Sequence, residues 1–288
     1  MLDQGLLRQL NPLHYVVKEA ALGRVGGRQL SKRKGLSLDF AEHRNYLPGD
    51  DYRYIDWNLY GRLDRLFVKV FSREEDYPVY LLVDLSKSMR IGNKLQRAGE
   101  VAGALGYIAL KDQNRLGVYP FSKGIDIDNA WYPRSGFQQT LTFFEYLDNL
   151  KPQTETDFNH SMTQFAHLRF NRGLVVVLSD MFSEQGYEEG LIALRSGGYS
   201  VVVMQLLAEE DINPELLQEV WLTSIEQGPS RRRLNGPESV DIYLQAVRDY
   251  NDRLQEFCHH HEIGHLRLPV TMPLEQVVFE QLRGRVLT

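Results

Sequence analysis

The chain has 288 residues, 43% of them hydrophobic, and its 33 Lys and Arg against 38 Asp and Glu give a formal net charge of −5. That is enough apolar material for a large core without staples, and the mildly acidic balance leaves no electrostatic footprint for nucleic acid or an anionic membrane. Cys258 is the single cysteine, which excludes an intrachain disulfide, and no apolar run approaches the ~18 residues of a membrane span. With no signal-peptide pattern at the start, these features predict a cytoplasmic protein.

In chain order, Leu6, Leu7, Leu10, Leu13, Val16, Val17 and Ala20 recur at helical spacing over 6–22, with Pro12 interrupting the first turns. A loop follows over 23–35, where Lys32, Arg33 and Lys34 form a solvated basic turn. Residues 37–76 are dense in charge and aromatics. Pro48, Gly49 and Asp50 there spell a turn and Leu66 to Phe71 a short strand, but no clean period runs through the rest.

The texture changes near Pro78. Val79–Asp84, Leu116–Phe121, Leu174–Ser179 and Ser200–Leu207 are short apolar runs of the kind that form strands buried on both faces. Amphipathic helices are predicted at 94–111, 137–150, 158–170 and 186–196, and a strand pairing as a hairpin at 125–132. An edge hairpin is expected from 220–225 and 231–234, then a long helix over 237–262, a strand at 265–270 and a helix at 274–284. Strands alternating with helices define an α/β fold, a doubly wound and mostly parallel sheet. The expected division is 1–76, a helix and charged aromatic arm packing on the core, and 77–288, the sheet domain.

Ligands of open α/β sheets bind beyond the carboxyl ends of the strands. The first buried run ends in Asp84, with Ser86 and Ser88 two and four residues on, and the third ends in Ser179 and Asp180. Between them Thr156 and Asp157 lie in a polar loop before a helix. Carboxylates and hydroxyls at one rim, without sulfur, describe a site for a hard cation: Mg²⁺, with Mn²⁺ or Ca²⁺ also accepted by such ligands. The competing reading is that Asp and Ser at strand ends simply cap the next helix.

Asp84, Ser86, Ser88, Thr156 and Asp180 resemble the five-part metal-ion-dependent adhesion site of von Willebrand factor A domains. Upstream, Asp39 to Arg44 (DFAEHR), Tyr46 to Asp51 (YLPGDD) and Ile55 to Trp57 (IDW) are similar to the bacterial "domain of unknown function fifty-eight" family. The resemblance, from about residue 20 to the end, implies a von Willebrand factor A-like, Rossmann-type domain working with a MoxR-type AAA+ ATPase. It implies that Ser86, Ser88 and Thr156 ligate the ion directly or through water while Asp84 and Asp180 orient waters. The open position then takes a carboxylate from a client protein, and the chain serves as an adaptor rather than an enzyme. Many relatives carry transmembrane helices before the block; none is expected here.

Two alternatives come from other classes. One is a structural interaction protein whose metal site is vestigial. The other is a zinc peptidase, since His261, Glu262 and His265 spell H-E-x-x-H. That motif needs both histidines on one helical face, whereas Gly264 predicts a left-handed helix stop and Leu266 to Val270 read as strand. The basic triplet Arg231, Arg232 and Arg233 is expected to discourage strand pairing at an edge. No Walker loop, dinucleotide fingerprint or nucleophile elbow occurs.

Overall fold

Regular structure begins where the apolar spacing does, but the first helix is short. The computed structural model describes residues 3–15, 39–46, 50, 52–72, 78–153, 155–183, 185–212, 221–223, 231–233 and 237–288. Helix α1 (Gln4–Leu10) starts at Asp3, whose side chain accepts the Gly5 N–H, and gives way to a turn at Asn11 and Pro12. The expected continuation over 16–22, the loop at 23–35 and the turn residues Pro48 and Gly49 lie outside the described residues.

Residues 25–76 form a unit of their own, while 1–24 group with 77–288. The division at residue 77 thus leaves α1 with the sheet domain, because Leu6, Leu10 and Leu13 are buried in that domain's core. In the smaller unit, β1 (Asp39–Asn45) pairs antiparallel with β2 (Phe67–Ser72), with a register shift between Phe40 and Glu42. Between them α2 (Trp57–Leu63) is capped by Asp56, which accepts the N–H groups of Asn58 and Leu59. Only β2 was legible in advance, since DFAEHRN has neither the composition nor the alternation of a typical strand.

The sheet domain continues with β3 (Val79–Asp84), α3 (Lys94–Lys111), β4 (Leu116–Phe121) and β5 (Trp131–Arg134). Next come α4 (Thr140–Asp148), α5 (Phe158–His167), β6 (Leu174–Ser179), α6 (Glu188–Ser196) and β7 (Ser200–Leu207). The chain ends through α7 (Glu209–Ile212), β8 (Trp221–Thr223), β9 (Arg231–Arg233), α8 (Pro237–His260), β10 (Gly264–Pro269) and α9 (Leu274–Gln276).

Six strands form one sheet in the order β10-β7-β6-β3-β4-β5, all parallel except β5. Alternate residues of β3 serve opposite faces. Val79, Leu81 and Val83 join α1, α3 and α4, whereas Tyr80 and Leu82 join α5, α6 and α8. Prolines sit in both edge strands, Pro133 in β5 and Pro269 in β10, where a missing N–H costs least, but Pro120 lies in the interior strand β4, opposite Val83. The expected hairpin partner at 125–132 begins later, at Trp131, because Asp126 and Asn129 build a side-chain-bonded turn first. Among the described residues, strands β8 and β9 pair with each other, so the arginine triplet lies on a separate two-stranded sheet and not on an edge of the main one. The last expected helix divides into α9 and a π-helical segment, Val277–Leu282.

Candidate functional site

Numbered by their order along the chain, the six strands run 3-2-1-4-5-6 across the sheet, and the order reverses between β3 and β6. The carboxyl ends of these two strands carry the predicted carboxylates. Asp84 closes β3, and Asp180 follows Ser179 at the end of β6; all three are buried. Asp84 uses both oxygens. Oδ1 accepts the Ser86 N–H at 2.8 Å, and Oδ2 accepts the Ser179 hydroxyl at 2.6 Å. Ser179 Oγ in turn accepts the Met181 N–H, and Asp180 Oδ1 accepts the Phe182 N–H. Met181 holds a left-handed backbone at φ 65°, a conformation uncommon for any residue with a Cβ, and such strain concentrates at functional rims.

Ser86 is buried and Ser88 half-buried, and their hydroxyl oxygens lie 3.0 Å apart. Adjacent ligands of an octahedral Mg²⁺ with bonds of 2.0–2.1 Å are separated by about 2.9 Å, so the two hydroxyls already have the spacing of one octahedral edge. Burial and the charge of Asp180 push the Asp84 carboxyl up to about 7, against the pull of its donors on Ser179 and Ser86. Two buried carboxylates beside a hydroxyl pair suit a hard dication. Among the described residues no three His, Cys, Asp or Glu side chains gather as a metal cluster, so hydroxyls would supply much of any coordination.

Thr156 reaches this rim by a different route. Its hydroxyl donates to the Ser122 carbonyl at 3.3 Å, just past the end of β4, and Asp157 N–H donates to the same oxygen. The loop is also fastened to the Asp84–Ser86 turn, where Gln153 N–H donates to Leu85 O at 2.6 Å. Asp157 caps α5 by accepting the His160 N–H, so for that residue the capping reading holds. Hydrogen bonds therefore join Asp84, Ser86 and Ser88, sequence adjacency to Ser179 brings Asp180 to them, and Thr156 is tied to Ser122 past the end of β4, three residues after the Gln153 that bonds Leu85.

Sequence reasoning missed two members of this neighbourhood. Lys94, 1% exposed, donates to Asp180 Oδ2 at 2.7 Å and to Asp211 Oδ2 at 3.0 Å. A lysine opening an amphipathic helix gives no sign that it points inward, and Asp211 is far away in sequence.

The H-E-x-x-H residues do not assemble. Helix α8 ends at His260; Glu262, not Gly264, is the left-handed residue, with φ 56°, and its carboxylate pairs with Arg195 at 3.0 Å. Gly264 instead opens β10, where an added Cβ would lie 3.0 Å from Val202. His265 is a strand residue, bonded to Gln205 at 3.3 Å, and His261 packs its ring against Phe257 at a 42° tilt. The zinc-peptidase geometry is absent from these residues because the helix stops before the motif.

A doubly wound α/β domain with an oxygen-lined polar site at its switch point is the class that strand order and side chains define. The chain belongs to the family described as "Protein of unknown function DUF58", whose sequence model matches residues 42–231. It is similar to the uncharacterized proteins Rv1480 of Mycobacterium tuberculosis and Mb1516 of Mycobacterium bovis, each 25% identical over 85% of this chain and 78% of the relative. Among solved structures it has some likeness to BatB from Bacteroides thetaiotaomicron (TM-score 0.42, 13% identity, 67% of this chain and 90% of that one). A von Willebrand factor type A protein from Catenulispora acidiphila gives a TM-score of 0.37 at 17% identity, over 49% of this chain and 35% of that one. No helix among the described residues is long and apolar enough to cross a membrane.

Proposed function

We propose that this chain is a metal-dependent protein-recognition module. A divalent cation, Mg²⁺ in the first instance, is held at the switch point by Ser86, Ser88 and Thr156, with Asp84 and Asp180 behind them. When bound, the ion supplies an electrophilic open position for an Asp or Glu of a partner protein. The observation that carries this reading is the 3.0 Å separation of the Ser86 and Ser88 hydroxyls beside the buried carboxylates. Neutral hydroxyl ligands leave the ion's charge incompletely balanced, which favours an incoming anion. Ion–carboxylate attraction is large only where water is excluded, so affinity depends on the surrounding interface as well. The family resemblance adds a MoxR-type AAA+ ATPase as partner, with this chain as adaptor between the ATPase and its client.

A second reading is favoured by one specific contact: Lys94 already balances Asp180, as expected of an interaction protein whose metal site is vestigial. Calorimetric Mg²⁺ titration of the wild type and Ser86→Ala, repeated with the ATPase present, separates the two. Saturable binding to the wild type alone, with ATPase association lost in EDTA, is the expected result. ATPase association that ignores both EDTA and Ser86→Ala would instead establish the vestigial site.

A further inference from the structure

Lys94 occupies its position against two penalties. It is the first residue of α3, where the helix dipole opposes a cation, and burying an ammonium costs several kcal/mol unless it is paired. The backbone is shaped to bring it there. Gly92 and Asn93 both turn left-handed, at φ 56° and 61°, immediately before the helix. Gly92 is pressed so closely on the β7–α7 connection that an added Cβ would fall 2.4 Å from the Ala208 Cβ. Ala208 N–H donates to Asp211 Oδ2 at 2.9 Å, the same oxygen that accepts from Lys94. The ammonium therefore spans Asp180, after β6, and Asp211, on α7, and it lies 5.9 Å from the Phe182 ring.

We propose that Lys94 is a resident cation that competes with the divalent ion for Asp180, and that Asp211 governs the competition by offering the ammonium a second carboxylate. The proposal rests on the metal reading of the same site and adds its regulation. Without a metal, Lys94 balances Asp180 and keeps the site from collapsing into two unpaired buried charges. When a dication enters, Asp180 turns its charge toward the ion while Asp211 retains the ammonium. Metal affinity is then set by how firmly Lys94 is drawn to each aspartate, and a partner that touches Asp211 alters it.

The charge logic gives opposite signs for two substitutions. Lys94→Met removes the competitor, so Mg²⁺ affinity rises on the order of tenfold or more, while the metal-free protein melts lower and regains the loss on adding Mg²⁺. Asp211→Asn leaves Asp180 as the ammonium's remaining carboxylate partner, so Mg²⁺ affinity falls. A residue that merely braced the connections would change melting temperature in both variants without moving affinity in opposite directions.

The experiment is Mg²⁺ calorimetry and thermal melting, with and without Mg²⁺, on full-length wild type, Lys94→Met, Lys94→Gln and Asp211→Asn. The glutamine variant replaces methionine if the latter does not fold, and Asp211→Asn tests the idea without touching the lysine. Tighter binding in the Lys94 variants and weaker binding in Asp211→Asn would support the proposal. Binding that appears only when Lys94 is removed would overturn the metal reading for the natural chain and, with it, the proposed regulation. Mg²⁺ binding to the wild type that is unchanged in all variants would overturn the proposal while leaving the metal site standing. No binding in any of the four proteins would overturn both.

Discussion

Half-buried His265 and buried Asp84 are titratable groups whose effects on stability oppose each other over the same range of pH. Burial, reinforced by Arg267, pushes the His265 imidazole down to about 4, so the folded protein holds the ring neutral while the unfolded chain takes up a proton below ~6.5. That contribution is lost as pH falls from about 6.5 toward 4. Asp84 behaves in the reverse sense: with its carboxyl pushed up to about 7, the metal-free fold binds a proton that the unfolded chain does not, and gains stability as pH falls from about 7 toward 4. Denaturant melts from pH 4 to pH 8 in EDTA should therefore resolve the two by substitution. His265→Gln is expected to gain stability on acidification relative to wild type, and Asp84→Asn to lose it more steeply. Parallel profiles for all three proteins would refute the assignment. The histidine's partner explains its role. Gln205 joins His265 to Asn251 and donates to the Asp180 carbonyl, so the ring belongs to the polar network behind the site.

Elements were legible where a single local signal decided them. Val79–Asp84 and Leu174–Ser179 are unbroken apolar runs with polar ends, too short for a buried helix and, in the second, rich in valine, which marks strands buried on both faces. Asp84, Ser86, Ser88 and Asp180 followed from the same ends. Strand β1 was not legible, because its ladder to β2 is a pairing across more than twenty residues with no local trace in DFAEHRN. Lys94 was not legible for a related reason: its inward direction depends on the crowding of Gly92 against Ala208. Helix α3 shows how finely such packing is set. A Cβ on Gly106 would lie 2.3 Å from ring atoms of Phe143, a residue of α4, and 2.9 Å from Leu116. Gly106→Ala should therefore destabilise the protein by about 1–3 kcal/mol through overpacking, despite the better helix propensity of alanine. Equilibrium unfolding in urea measures it, and an unchanged or raised midpoint would contradict the close approach of α3 and α4.

At the scale of the whole molecule, the sheet domain is discontinuous in sequence. Its first segment supplies α1 and Tyr15, whose hydroxyl donates to the Leu105 carbonyl, and the chain then passes through the separate unit of 25–76 before returning at β3. Lys111 fastens the turn after α1 by donating to the carbonyls of Asn11 and Leu13. Docking α1 thus closes a loop of ~60 residues, while most of the sheet can assemble from neighbours along the chain. This places α1 late in folding and makes its release an early route of opening. Leu10→Ala, at a fully buried position, should cost about 2–5 kcal/mol. Most of that cost should appear as faster unfolding, with the refolding rate nearly unchanged. Stopped-flow chevrons would show it, and a refolding arm slowed in proportion would place α1 in the nucleus instead. Lifetime and rate of assembly are thereby controlled from different stretches of the chain: the first fifteen residues act as a latch on how long the native state persists, and the strands decide how quickly it is reached.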